Sequence, residues 1–162
     1  MGPLPKRSPR RSRRRSVSKE ENKATSRRFY EELFNRGDLD AAEEIVTPDF
    51  VLHDPNIPEQ PRGPDGLKRF VAIYRDAFPD IEFTVEDQVA EGENAATRWV
   101  ARGTHRGELM GIAPTGKRVE VRAFTLHRFS GGKIAEDWAH YEALDVVRQL
   151  GVVLDRGRAQ GA

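Results

Sequence analysis

Apolar positions along the chain recur with two different periods, and the change comes near Pro79. Before it the spacing is helical. Phe29, Tyr30, Leu33 and Phe34 fall on one side of a stretch predicted as a helix from Glu20 to Arg36. Gly37 follows where a helix ends in the left-handed conformation that a residue without Cβ adopts freely. Asp38 then reads as the N-cap of a short second helix, Leu39 to Val46, stopped by Thr47-Pro48. "DFVLHDP", Asp49 to Pro55, is a short extended run. The loop after it, "PNIPEQPRGP", has four prolines in ten residues, which excludes a helix or a central strand. A third helix is predicted from Asp65 to Phe78, with Leu67, Phe70, Val71, Tyr74 and Phe78 on one buried face.

After Pro79 the period is two. "IEFTVEDQVAEG" alternates, with Ile81, Phe83, Val85 and Val89 on one predicted face. "EGEN" turns into "AATRWVARGTH", where Ala95, Thr97, Trp99, Ala101, Gly103 and His105 share a face. "KRVEVRAFTLHRF" is a long strand on which Val119, Val121, Ala123, Thr125 and His127 align, although Phe124 and Leu126 make both faces partly apolar. "SGGK" turns into "KIAEDWAHYE", where strict alternation groups Ile134, Glu136, Trp138, His140 and Glu142 against Ala135, Asp137, Ala139 and Tyr141. "ALDVVRQLG" closes as a short helix. Helices followed by hairpin-connected strands predict an α+β fold, with three N-terminal helices packed on one face of a curved, mainly antiparallel sheet.

Composition adds boundaries. The 162 residues suit one domain with a real core. The net charge of +1 conceals seven Lys/Arg and no acid in residues 1–18, against 20 basic and 26 acidic side chains in the rest. Residues 1–18 therefore read as a disordered basic tail, 19–153 as the folded domain, and 154–162 as a fraying end. The tail is read as a solvated extension; a second reading is contact with nucleic acid or an anionic membrane through phosphates. There is no cysteine, which excludes disulfides and thiolate chemistry. No transmembrane segment and no apolar signal stretch is visible, so a cytoplasmic protein is expected.

The candidate chemistry lies on the strands. The histidines are His53, His105, His127 and His140, all on predicted strands or strand ends. A lone strand histidine is ordinarily a hydrogen-bonded or surface residue, but two meeting Glu136 in one cavity could divide acid and base roles. No histidine pair has metal-ligand spacing, and no GxSxG, GxGxxG or GxxxxGK[ST] occurs, so neither metal nor nucleotide cofactor is expected. The loop "GTHRGELMGIAPTGK" is glycine-rich enough to form the rim of a pocket.

The segments "FYEELFNRGDLDAAEEIVTPDFVLHDP", "FPDIEFTVEDQVAEGENAATRWVARGTHRGELMGIAPTGKRVEV" and "GGKIAEDWAHYEALDVVRQLG" resemble the SnoaL-like polyketide cyclases, or ester cyclases, of the nuclear-transport-factor-2-like superfamily. The resemblance spans about residues 20–153. It implies a cone-shaped α+β barrel around a single pocket, and cofactor-free closure of a polyketide ester by an intramolecular aldol reaction. It puts His53 and His105 on family histidine positions, and Glu142 where relatives commonly carry a catalytic aspartate.

The reading that follows is an enzyme of lyase or isomerase type without cofactor, acting on a small hydrophobic carbonyl compound. Glu142 or His140 would remove a proton alpha to a carbonyl, and His105 and His53 would donate hydrogen bonds to the developing oxyanion. Trp99, Trp138, Glu136, His127 and Tyr74 would contact the substrate. A homodimer is expected, with the strand face bearing Arg98 and Arg102 as a candidate surface. The alternative from a different class is a non-catalytic ligand-binding or dimerisation module of the same fold.

Overall fold

The computed structural model describes residues 17–152; all but the last two residues of the basic run, and the predicted C-terminal tail, lie outside them. Ser18 caps the first helix, its Oγ accepting from the Glu21 N–H at 3.1 Å. That helix, α1 (Lys19–Arg28), runs on through wider π-type turns at Phe29–Arg36 and stops at Gly37, where φ is +70°. A side chain at Gly37 would also meet the Arg75 guanidinium, the movable end of a long side chain, so the left-handed backbone is what calls for glycine. Phe29, Tyr30, Leu33 and Phe34 are all buried, as their spacing predicts.

The second helical segment is shorter than expected. A single 3₁₀ turn at Leu39–Ala41 leads into α2 (Ala42–Ile45), and Asp38 makes no side-chain cap. The chain becomes extended at Val46, so β1 (Val46–His53) includes Pro48. Two facts make the proline tolerable: β1 is an edge strand, and its pairing with β5 shifts register between Val46 and Val51. The third helix, α3 (Gly63–Ala77), starts on Pro64 in its first turn and buries Leu67 and Val71.

Four strands follow: β2 (Glu82–Glu91), β3 (Asn94–Thr104), β4 (Arg118–Ser130) and β5 (Lys133–Tyr141); α4 (Ala143–Gln149) ends the described chain. The sheet order is β1-β5-β4-β3-β2, antiparallel throughout except for the parallel β1–β5 pair. The fold is α+β, as expected. The sheet ends at β1 and β2 without closing, and the helices complete the enclosure.

Two bulges decide which side chains face inward. In β2, Val85 pairs with Trp99 but Asp87 with Arg98, so Glu86 is an extra residue. In β5, Ile134 pairs with Phe129 but Glu136 with Arg128, so Ala135 is extra. An extra residue reverses the alternation beyond it. The β2 expectation is thereby corrected: Ile81 is buried and Val85 packs on the core, but Val89 is 64% exposed on the outer face. The β5 expectation is corrected likewise. Ile134 is buried, yet Glu136, Trp138 and His140 turn outward, and Asp137, Ala139 and Tyr141 turn in.

Candidate active site

The inner face of the sheet, α1, α3 and α4 enclose a cavity of about 1070 Å³ counted to its open mouth. Most of its wall is apolar: Phe29, Phe34, Phe70, Phe83 and Val121 deep in the cone, with Leu109, Met110, Ile112 and Val146 around it. Such a cavity suits a hydrophobic ligand, and the few polar atoms that reach it set orientation and chemistry.

One polar group centres on Asp137. Its side chain lines the cavity and the residue is 2% exposed. Oδ2 lies 3.2 Å from His127 Nε2, and His127 Nδ1 lies 2.8 Å from Ser26 Oγ on α1. The tautomer that satisfies both contacts has Nε2–H donating to Asp137 and Ser26 donating to Nδ1. Asp137 Oδ1 is buried and has no hydrogen-bond partner. Unpaired buried acceptors are uncommon, because each bears the full cost of leaving water.

A donor faces the same space. Tyr30 is 2% exposed, lines the cavity, and its hydroxyl is buried without a partner. Its ring is held by Phe83 (centroids 5.4 Å apart) and by His127 (6.1 Å). Burial first, and the Asp137 charge second, push the Tyr30 hydroxyl well above its usual pKa, so it keeps its proton. Beside it, Trp99 Nε1 donates to Thr125 Oγ1 at 2.9 Å.

A second polar group lies nearer α4. Asp54, 2% exposed, and Tyr141 both line the cavity with Tyr74. The Tyr141 hydroxyl is buried and unpartnered; burial, then neighbouring Tyr74 and Asp54, raise its pKa.

The sequence candidates divide accordingly. Trp99 and Tyr74 line the cavity, and His127 stands directly behind Asp137. His53, Glu136 and Trp138 do come together, but on the outer face at the β1–β5 edge. The His53 ring stacks on Trp138 with centroids 5.0 Å apart, and its Nε2 is 4.0 Å from Glu136. Arg128 pairs with the same carboxylate at 3.2 Å. His140 is exposed on that face, and Glu142 is exposed just before α4 without capping it. None of these five outward residues lines the cavity.

His105 is fully buried but serves the rim. Its Nδ1 accepts from the Thr115 N–H at 3.2 Å, and its own N–H donates to the Lys117 carbonyl at 2.9 Å. These contacts hold the loop that carries Leu109, Met110 and Ile112 to the cavity. Gly107 lets that loop meet the end of α3, since a Cβ there would lie 2.3 Å from the Asp76 carbonyl oxygen. The loop is a pocket wall, as its composition suggests.

Sequence reasoning missed Asp137, Tyr30, Asp54, Tyr141 and Ser26 as site residues. Tyr30 reads as one more apolar helix position, and Asp54 as a turn residue beside a histidine. Asp137 and Tyr141 were legible only with the β5 bulge in hand. Among the described residues no three His, Asp or Glu side chains converge as a metal site would require.

This arrangement has counterparts. The model of the SnoaL-like polyketide cyclase family matches residues 24–150. The chain is 30% identical over 128 residues to the aklanonic acid methyl ester cyclase DnrD of Streptomyces peucetius, across 74% of this chain and 84% of the relative. It superposes on IdmH, a candidate polyketide cyclase of Streptomyces antibioticus, with a TM-score of 0.69 at 37% identity, across 81% of this chain and 99% of that one. A protein with a ketosteroid isomerase-like fold from Catenulispora acidiphila shares the architecture, with a TM-score of 0.69 at 17% identity over 80% of this chain and 93% of that one. The chain belongs to the SnoaL-like polyketide cyclase family.

Proposed function

We propose that this chain is a cofactor-independent ester cyclase that closes a ring in a hydrophobic carbonyl substrate by an intramolecular aldol reaction. The observation that carries the reading is the unpaired Oδ1 of Asp137 inside an apolar cavity. A carboxylate oxygen left without a protein partner there is available to a substrate proton.

Asp137 takes the proton from the carbon alpha to one carbonyl, and the electron pair moves into an enolate. The enolate carbon attacks a second carbonyl of the same molecule; a C–C bond forms as the C–O π bond opens to an alkoxide. Protonated Asp137 returns the proton to that oxygen, so the net change is an isomerisation with no atom lost. Tyr30 donates a hydrogen bond to the charge developing on oxygen, where low polarity makes it most effective. His127 and Ser26 fix the Asp137 carboxylate from behind. Trp99, Tyr74 and the phenylalanines bind the flat body of the substrate.

The test is turnover of aklanonic acid methyl ester and related anthracycline-type esters by the purified chain. Cyclisation that falls at least about a hundredfold in Asp137→Asn supports the reading. Tight binding of these esters with no chemical change would show a binding module instead.

The proposal extends to assembly and location. The outer sheet face exposes Val89 (64%), Phe124 (62%) and Leu126 (41%), a patch suited to a second copy of the chain. Analytical ultracentrifugation should find a dimer that Leu126→Arg converts to monomer; a wild-type monomer contradicts it. A cytoplasmic location completes the proposal, with fractionation of the native host as its check.

A further inference from the structure

The cavity has polar chemistry in two places, and the aldol reaction needs only one. The second group, Asp54 with Tyr141, takes no part in the steps above. Asp137 and Tyr141 stand four residues apart on one strand, so their Cα atoms are separated by roughly 13 Å. The register of the parallel β1–β5 pair, Leu52 opposite Asp137 and His53 opposite Trp138, carries Asp54 along in the direction of Tyr141.

The second group is built rather than incidental. Asp54 Oδ1 accepts from the Asn56 backbone N–H at 2.8 Å and from Asn56 Nδ2 at 2.9 Å, which leaves Oδ2. The Asp54 backbone is clamped by Gln60, whose Oε1 accepts its N–H at 2.6 Å and whose Nε2 donates to its carbonyl at 3.0 Å. Gln60 Nε2 also donates to the Ile57 carbonyl, so one side chain organises the proline-rich loop around Asp54. The buried Tyr141 hydroxyl lies near enough to Tyr74 and Asp54 for both to raise its pKa, yet makes no hydrogen bond of full geometry to either. A carboxylate acceptor and a phenolic donor, both lining an apolar cavity, match a ligand group that donates one hydrogen bond and accepts another. A hydroxyl does both; a ketone or ether oxygen only accepts.

We infer that Asp54 and Tyr141 form a hydroxyl-recognition subsite, and that the natural substrate carries a hydroxyl group remote from the carbon deprotonated by Asp137. This rests on the cyclase reading for its orientation but not for its existence. The subsite sets which end of a flat, nearly symmetric molecule enters first. That choice decides which C–H meets the base.

A matched pair of neutral probes tests it: 2-(hydroxymethyl)anthraquinone and 2-ethylanthraquinone, which differ by a hydroxyl in place of a methyl group. Binding to the full chain is followed by quenching of tryptophan fluorescence, since Trp99 lines the cavity. The wild type should bind the hydroxymethyl probe about tenfold more tightly than the ethyl probe, the scale of one or two buried hydrogen bonds. Tyr141→Phe should bring that ratio below about threefold while binding the ethyl probe as before. Equal wild-type affinities, or a preference that survives in Tyr141→Phe, would overturn the inference. If Tyr141→Phe binds neither probe, Asp54→Asn, which keeps an acceptor for Asn56, decides: loss of the preference supports the subsite and retention overturns it. Turnover by Asp137→Asn separates the two claims. A fast Asp137→Asn enzyme with an intact hydroxyl preference removes the cyclase mechanism and leaves the subsite; a dead one with no wild-type preference does the reverse.

Discussion

The two faces of β5 carry similar residue types in different physical states. Outward, Glu136 pairs with Arg128, His53 stacks on Trp138, and His140 meets solvent. Inward, Asp137 and Tyr141 hold polar atoms that are buried and unpaired. On the outer face Arg128 meets the Glu136 charge and water meets His140, pairs that contribute little, while His53 Nε2 is buried without a hydrogen bond but lies outside the cavity. On the inner face the unpaired atoms have no protein partner and face the cavity, where water or a ligand group must satisfy them. A carboxylate, a histidine and an aromatic ring in proximity therefore do not define a site. Burial without a protein partner, combined with a place in the cavity wall, is the sharper criterion; Asp137 meets it, Glu136 and Glu142 do not, and the proposal rests on that difference.

Substitutions that disable the inner face one atom at a time have the largest expected effects. Asp137→Asn should slow cyclisation by at least about a hundredfold with ligand binding retained, because an amide cannot take the proton. Tyr30→Phe should lower kcat by about ten- to a hundredfold with little change in KM, as expected for a donor used mainly on developing charge. Ser26→Ala, measured by denaturant unfolding and steady-state kinetics, should destabilise the fold by about 1–3 kcal/mol through the buried His127 nitrogen it leaves unpaired. Its rate should fall by about tenfold as Asp137 loses a fixed orientation.

Asp80 offers a control that touches neither face of β5. Its carboxylate accepts from the Thr104 N–H at 2.6 Å and from the Thr104 hydroxyl at 2.7 Å, and these bonds, the backbone one first, hold its pKa below the usual aspartate value. A pKa lowered by folding contributes stability above the unfolded-state value of about 4 and loses it as pH falls through the folded one. Asp80→Asn should therefore cost only about 0.5 kcal/mol at neutral pH, discounted for its exposure, and progressively less as pH falls below about 4; thermal melts at neutral and acid pH check this. The smallest effects belong to the outer face. Glu142→Gln and His140→Ala should each leave kcat/KM within about threefold of wild type, since neither residue lines the cavity. A hundredfold loss in either would restore the outer residues as the reacting groups.

Much of this was legible in the chain, and the exceptions on β2 and β5 have one cause. The β3–β4 ladder runs from Asn94 opposite Arg128 to Thr104 opposite Arg118 without a shift. Alternation accordingly put Trp99, Ala101 and Gly103 on one face, which lines the cavity; on β4 it aligned Val119, Val121 and Thr125 but left the inward face open, and the structure turns them to the cavity. β2 and β5 each contain one extra residue, Glu86 and Ala135, and neither is a glycine or proline that would announce a bulge. Alternation read through those points inverts, which sent Val89 inward and Asp137 outward. The helices were clear because Phe29 to Phe34 and Leu67 to Phe78 keep their period. The onset of β1 was less clear, because Thr47-Pro48 reads as a stop when the edge position that admits proline is unknown. The resemblance pointed to Glu142 at the end of β5, and sequence spacing alone could not show that the residue five positions earlier, Asp137, is the one that lines the cavity.

The most direct measurement compares single-turnover cyclisation of an anthracycline-type methyl ester by wild type, Asp137→Asn and Glu142→Gln under identical conditions. The rate should be at least about a hundredfold lower in Asp137→Asn and near wild type in Glu142→Gln. A near-normal rate in Asp137→Asn together with a collapsed rate in Glu142→Gln would contradict it.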